Sequence, residues 1–308
     1  MGKTDVCESD YLENAEIFAD LVNGVLYQGK QVVKPHELSE QDGELRSILG
    51  KDVKKTIRDK VRLWRGTVIA VLAVENQTKV DYRMVVRAML AESMAYDKQW
   101  KRLNREKRFE RLMPDEFISG MKKTDKFIPV ITIVVYYGRE KPWDGARTLY
   151  ELLDIEENEE KILPFVSDYR LNLFDYHEYD DYRQFHSELQ SVFEFLRYSD
   201  DKKLMSDRLR NNRERYEKLS SQAKILLSEI TGIKRLPGMG EEKFRKGEFD
   251  MCKAFEDMKE EGRAEEIVET GFEFGWPEEK ILERLQSRLD ISEEKAREYL
   301  DSVALSRQ

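Results

Sequence analysis

The sequence predicts an α/β core with a helical C-terminal extension, and three observations predict it. An amphipathic helical period opens the chain. Two β-branched apolar runs, at 67–76 and 127–137, bracket a long helical stretch, and an acidic helix-forming tail follows a Gly- and Pro-containing connector at 232–240.

The first helix is expected over residues 10–29, because Phe18, Leu21, Val22, Val25 and Leu26 recur at the spacing of one helical face and Gly29 suits its end. Glu16, Asp20 and Asn23 share another face. Residues 30–50 are polar, with Pro35 and two glycines, and read as a connection with one short helical turn around Ser39–Glu44. Strands follow at 55–64 and 67–76, joined by a tight turn at Arg65-Gly66.

From Asp81 to Leu112 the pattern is helical, with Met84, Ala88, Ala91 and Ala95 forming a small-residue stripe suited to close packing on a sheet. Arg83 and Arg87 lie to one side of that stripe. Phe127–Tyr137 is a buried strand closed by Gly138, and Leu149–Leu153 is a short helix. Tyr169–Tyr176 reads either as a further strand or as an aromatic loop on the core. Residues 181–231 are mostly helical with a break near Tyr198–Asp201. In the tail, Cys252, Phe255 and Met258 make an apolar edge, Trp276-Pro277 opens a helix and Ser292 caps a last one. The implied organisation is a domain over 1–231, a connector over 232–240 and an acidic helical module over 241–308.

Composition narrows the function classes. The longest apolar run, Phe127–Tyr137, has 11 residues, short of the roughly 20 that a helix needs to cross a bilayer. No charged-then-apolar leader opens the sequence. Cys7 and Cys252 are far apart and lack neighbours at ligand spacing, so the sequence supports neither a disulfide framework nor a zinc site and fits a reducing cytoplasm. Of the net charge of −9, residues 241–308 supply most, with 20 acidic and 12 basic side chains. The rest is nearly balanced, and its bases cluster: Lys51–Arg65 and Lys98–Arg111 each hold seven Lys or Arg against two acids. Lys60, Lys101 and Arg102 belong to these clusters, which suit phosphates.

The most specific motif is Val74-Glu75-Asn76-Gln77 at the end of an apolar strand. Alternate side chains of a strand share a face, so Glu75 and Gln77 are expected to project together. Asp59 lies 16 positions earlier in the preceding strand. Two carboxylates on adjacent strands make a candidate divalent-metal site. Other chemistries lack their motifs: His36, His177 and His186 are scattered, Gly238-Met-Gly240 lacks the third glycine of a dinucleotide loop, and no Gly-x-Ser-x-Gly occurs.

Arg58-Asp59, Val74–Gln77 and Tyr82-Arg-Met-Val-Val-Arg87-Ala-Met-Leu90 resemble the recombination-promoting nuclease (Rpn) family, also labelled as transposases and similar to PD-(D/E)XK nucleases. Ile128–Gly138 followed by Lys141-Pro-Trp143, then Leu163–Leu173 and Asp250–Phe255, extend the resemblance over about residues 10–265. It implies a mixed central sheet flanked by helices and a Mg²⁺- or Mn²⁺-dependent DNA endonuclease. Asp59 and Glu75 then ligate the metal with the Asn76 carbonyl, and Gln77 stands where the wider superfamily has lysine. The family's Asp-x-x-Phe register puts Ala15 where the first-helix acid belongs, so Glu16 is the candidate acid there, with Asp20 behind it. Arg83 and Arg87 contact phosphates. Ala91 departs from an expected tyrosine, and with Gln77 it keeps open a second reading, a non-catalytic DNA-binding or assembly protein on a degenerate nuclease fold. DNA is the expected partner, with self-association through the C-terminal helices.

Overall fold

The computed structural model describes residues 7, 10–40, 59–65, 67–74, 80–106, 113–155, 159–231 and 251–306. The chain divides into two compact units, 1–197 and 198–308.

Helix α1 (Ala15–Tyr27) starts where the Asn14 side chain accepts a hydrogen bond from the Glu16 amide at 2.9 Å, and it ends in left-handed Gln28 and Gly29. Phe18, Leu21 and Val22 are buried as their spacing predicts. On the polar face Asp20 and Asn23 are buried too, while Glu16 is exposed. Asn23, fully enclosed, accepts from the amides of Val32 and Val33 and donates to the Val33 carbonyl, fastening the chain that leaves the helix.

A 3₁₀ turn at Pro35–Glu37 leads to β1 (Leu38–Glu40). The helical turn expected from Ser39 is therefore a strand at its start, because Leu38–Glu40 pairs antiparallel with Arg62–Trp64; residues 41–44 lie outside the described residues. Glu37 accepts hydrogen bonds from the Trp64 indole at 2.9 Å and from Arg65, which hold its carboxyl down at about 2.

β2 (Asp59–Trp64) and β3 (Thr67–Val74) form an antiparallel pair in which Asp59 stands opposite Leu72. Arg65, at the turn, takes a left-handed φ of 45°. Helix α2 (Met84–Glu106) carries the chain across the sheet, and after the short α3 (Pro114–Ser119) the chain enters β4 (Val130–Tyr136), parallel to β3. After the four-residue α4 (Glu159–Ile162), β5 (Asn172–Asp175) lies parallel to β4. The result is a five-stranded mixed sheet in the order β1-β2-β3-β4-β5. The segment expected as a short helix at Leu149–Leu153 is a single 3₁₀ turn over Tyr150–Leu152.

The stripe Met84, Ala88, Ala91 and Ala95 is buried. Met84 and Ala88 pack with Val134, Tyr136 and Trp143, and Ala95 with Val68 and Val130. Small side chains let α2 approach closely enough for its longer residues to bond the strand itself. Gln99 exchanges two hydrogen bonds with the Ile128 backbone, Tyr96 Oη accepts from the Val130 amide at 3.1 Å and Glu92 from the Thr132 amide at 3.1 Å. The other sheet face meets α1: Arg62 lies over the Phe18 ring and donates to the Glu13 carbonyl, while Trp64 packs edge-on against Tyr27. Helix α5 (Leu189–Tyr198) contributes Phe193, which packs with Phe174 and Phe185.

The second unit holds α6 (Lys202–Asn211), α7 (Arg213–Glu217), α8 (Ser221–Thr231), α9 (Met251–Glu273), α10 (Glu278–Leu289) and α11 (Glu293–Ser306). Helices α6–α8, read from sequence as additions to the first domain, thus group with the C-terminal helices. Ala264, Val268, Ile281, Leu285, Ala296 and Leu300 form the core shared by α9–α11. Pro277 caps α10, and the Ser292 hydroxyl accepts from the Lys295 amide at the start of α11. The connector 232–240 and the side chains of Cys252, Phe255 and Met258 lie outside what is described. Among the described residues no helix is long and apolar enough to cross a membrane.

Candidate functional site

Strand directions put the first residue of β2, Asp59, and the last residue of β3, Val74, at one rim of the sheet. β3, β4 and β5 run parallel and end together, with Val74 opposite Tyr136 and Tyr136 opposite Asp175. β2 runs the other way, so its first residue, Asp59, belongs to the same rim, opposite Leu72. The carboxyl ends of parallel strands are where open α/β sheets place ligands. Glu75, Asn76 and Gln77 follow Val74 directly in the chain but lie outside the described residues, as do the side chains of Asp59 and Lys60.

Glu16 is exposed in the first turn of α1. That turn is at the end of the helix nearer the start of β2, because Arg62 reaches the Glu13 carbonyl whereas Trp64 meets Tyr27 at the helix C-terminus. Asp20 has a different task. It is 5 % exposed, and its carboxylate accepts from the amides of His186 and Ser187 at 3.0 and 2.8 Å and from the Ser187 hydroxyl at 2.6 Å. Asp20 therefore stands in for no metal ligand; its lone pairs hold the turn that precedes α5.

Arg83 and Arg87 do come together, around an acid that the sequence reading passed over. Asp81 accepts from the Arg83 amide at 3.0 Å, from Arg83 Nε at 3.2 Å and from Arg87 Nη1. Burial acts to raise the Asp81 carboxyl, but the bonds from Arg87 and Arg83 outweigh it and hold the pKa below its ordinary value. The signal was present in sequence: an aspartate two residues before Arg83 and just ahead of a helix favours bonding the following amides. Further along α2, Lys101 pairs with Asp97 at 2.6 Å and Arg102 lies 3.6 Å from Glu106. Lys101 stays exposed in its pair, whereas Arg102 is half-buried with its Nε enclosed, and such i,i+4 pairs contribute little to stability.

The described side chains at the rim centre on Asp175, which is fully buried. It accepts from the Trp143 amide at 2.6 Å, from the His177 amide at 2.9 Å and makes a 2.7 Å hydrogen bond with His177 Nδ1. Burial acts to raise this carboxyl, and the His177 and backbone bonds bring it below its ordinary value. Tyr136 Oη donates to the Lys141 carbonyl and Tyr176 Oη to the Gly138 carbonyl, so the Lys141-Pro-Trp143 segment folds back over the strand ends. A Cβ at Gly138 would stand 2.0 Å from Tyr136 Oη, so this closure requires glycine. His177 is a packed, hydrogen-bonded residue.

Among the described residues no three His, Cys, Asp or Glu side chains converge as a metal site. Comparisons with protein-family models, with curated proteins and with solved structures returned no match to this chain.

Proposed function

We propose that the protein is a metal-dependent DNA endonuclease whose centre is formed by Asp59 and Glu75 at the rim where β2 begins and β3 ends. The observation that carries this reading is the connectivity: helix α1, the antiparallel meander β1-β2-β3, helix α2 and the parallel strand β4, with Asp59 the first residue of β2 and Glu75 the residue after β3. Two carboxylates and the Asn76 carbonyl are hard oxygen donors of the kind Mg²⁺ and Mn²⁺ take. Such an ion, when bound, neutralises charge that develops on the phosphate during hydrolysis.

The chain's own residues do the rest. Gln77 orients the attacking water by hydrogen bonding without supplying the charge of a lysine, which makes for slow turnover. Glu16, at the near end of α1, orients a second water. Arg83 and Arg87, with Lys60, Lys101 and Arg102, hold phosphates of the strand. The proposal has one geometric requirement. Asp59 stands opposite Leu72, and regular alternation puts positions 72 and 75 on opposite faces, so the extended pattern must break between them, as at a bulge.

Asp81 offsets one of the two charges of Arg83 and Arg87, and this, together with glutamine at position 77, favours a second reading, DNA binding or assembly without cleavage. Plasmid nicking in Mg²⁺ or Mn²⁺, run beside Mn²⁺ titration, separates the two. The nuclease reading expects cutting and Mn²⁺ binding in the native chain and loss of both, by about 100-fold or more, in Asp59→Ala and in Glu75→Ala. DNA binding with no Mn²⁺ uptake and no nicking selects the second reading.

A further inference from the structure

We propose that the C-terminal helical unit carries a phosphate-binding groove of its own, formed by Arg263, Arg284 and Arg288 beside Trp276. The inference does not rest on the nuclease reading. The groove has a volume of about 350 Å³; α9 supplies Arg263, Glu266 and Thr270, α10 supplies Arg284 and Arg288, and Trp276 stands in the turn between the helices.

Its charge runs against its surroundings. Residues 241–308 hold 20 acidic and 12 basic side chains, so a carboxylate partner is the abundant choice for any base there. Lys295 and Arg297 on α11 follow that rule, pairing with Glu260 and Glu293. Among the described residues, none of the three groove arginines is paired with a carboxylate. Lys280, Arg284 and Arg288 instead form a stripe at i, i+4 and i+8 of α10, where like charges repel. Glu266 is the single acid on the wall, which leaves three guanidinium groups against one carboxylate.

The aromatic ring orders this cluster. Lys280 Nζ and the Arg284 guanidinium lie 4.6 and 4.9 Å from the Trp276 ring, which fixes the Arg284 stem against a rigid surface. Guanidinium forks match phosphate oxygens in bidentate fashion, and the Thr270 hydroxyl adds a neutral donor. A phosphate dianion relieves the repulsion and uses all three forks. Free phosphate or pyrophosphate and a nucleic-acid backbone share this chemistry.

The test uses the full chain labelled with ¹⁵N at the tryptophan indoles, with the Trp276 signal assigned by its loss in Trp276→Phe. Pyrophosphate and a single-stranded oligonucleotide lacking terminal phosphates are titrated separately, with sodium chloride at matched ionic strength as control. The Trp276 signal should move to saturation with at least one phosphate probe, and Arg284→Gln/Arg288→Gln should weaken that response by about tenfold or more. Both replaced residues are exposed, and an unchanged far-UV circular-dichroism spectrum and thermal unfolding curve of the double variant report intact folding of the helical unit. Saturation by pyrophosphate alone assigns a small phosphate ligand, and saturation by the oligonucleotide assigns a nucleic-acid backbone. A Trp276 signal that neither probe moves, that chloride moves equally, or that responds unchanged in the double variant overturns the proposal.

Discussion

Asp20, in the middle of α1, binds the amides of His186 and Ser187, 166 and 167 residues further along the chain. This contact joins the first helix to the turn before α5. Replacing Asp20 by Ala leaves two amides and a hydroxyl without this acceptor in a partly buried setting. The expected loss is about 2–4 kcal/mol of stability, measured by urea unfolding of the native and variant chains. A loss below about 0.5 kcal/mol would mean that water replaces the carboxylate at little cost.

Gly24 sits in α1 where a Cβ would fall 2.2 Å from the Phe185 ring. Phe185 is 2 % exposed and is held edge-on against Phe174 at 5.2 Å, so the ring has nowhere to move. Alanine improves helix propensity by at most about 1 kcal/mol, whereas overpacking costs about 1–3 kcal/mol. Packing wins, and Gly24→Ala should lower the Tm. A rise in Tm on calorimetry would show that the helix shifts to make room.

Asp175 makes stability depend on acid. Its folded pKa is depressed, so its contribution is complete above the unfolded value of about 3.9 and disappears as pH falls through the lower folded value. Asp81 and Glu37 act in the same direction. Tm should therefore be level from neutrality to about pH 5 and fall below about pH 4. Asp175→Asn should lower the neutral Tm and flatten the acid limb without removing it. An acid limb unchanged in the variant would place the titration elsewhere.

Asp81 sets how much of the charge on Arg83 and Arg87 reaches a ligand. Asn at this position can still accept from the Arg83 amide, but it carries no charge to offset the guanidinium groups. On the DNA-binding reading, Asp81→Asn should tighten binding at low salt and steepen the dependence of log K on log salt by about 1–2 units. Equal slopes for the two proteins, measured by fluorescence anisotropy between low and moderate salt, would show that these arginines do not meet phosphates.

The elements that local periodicity defines were legible in the sequence. The apolar face of α1, the alanine stripe of α2 and the runs of β3 and β4 stand within a few residues of their expected places, because each is specified by side chains one or two turns, or two positions, apart. The candidate centre was legible only in part: Asp59 opens β2 at the rim where β3 ends, but Glu75–Gln77 lie outside the described residues.

Tertiary structure alone decided three things. Leu38–Glu40 is a strand because Arg62–Trp64 offers it a ladder, not because of its own composition. Asp20 and Asn23 look like a wet helix face, yet distant amides at His186 and nearby ones at Val33 take them inside. Helices α6–α8 group with the tail rather than with the sheet. Each outcome depends on partners far apart in the chain, and a local pattern holds no information about which distant backbone group will satisfy a given carboxylate, amide or strand edge.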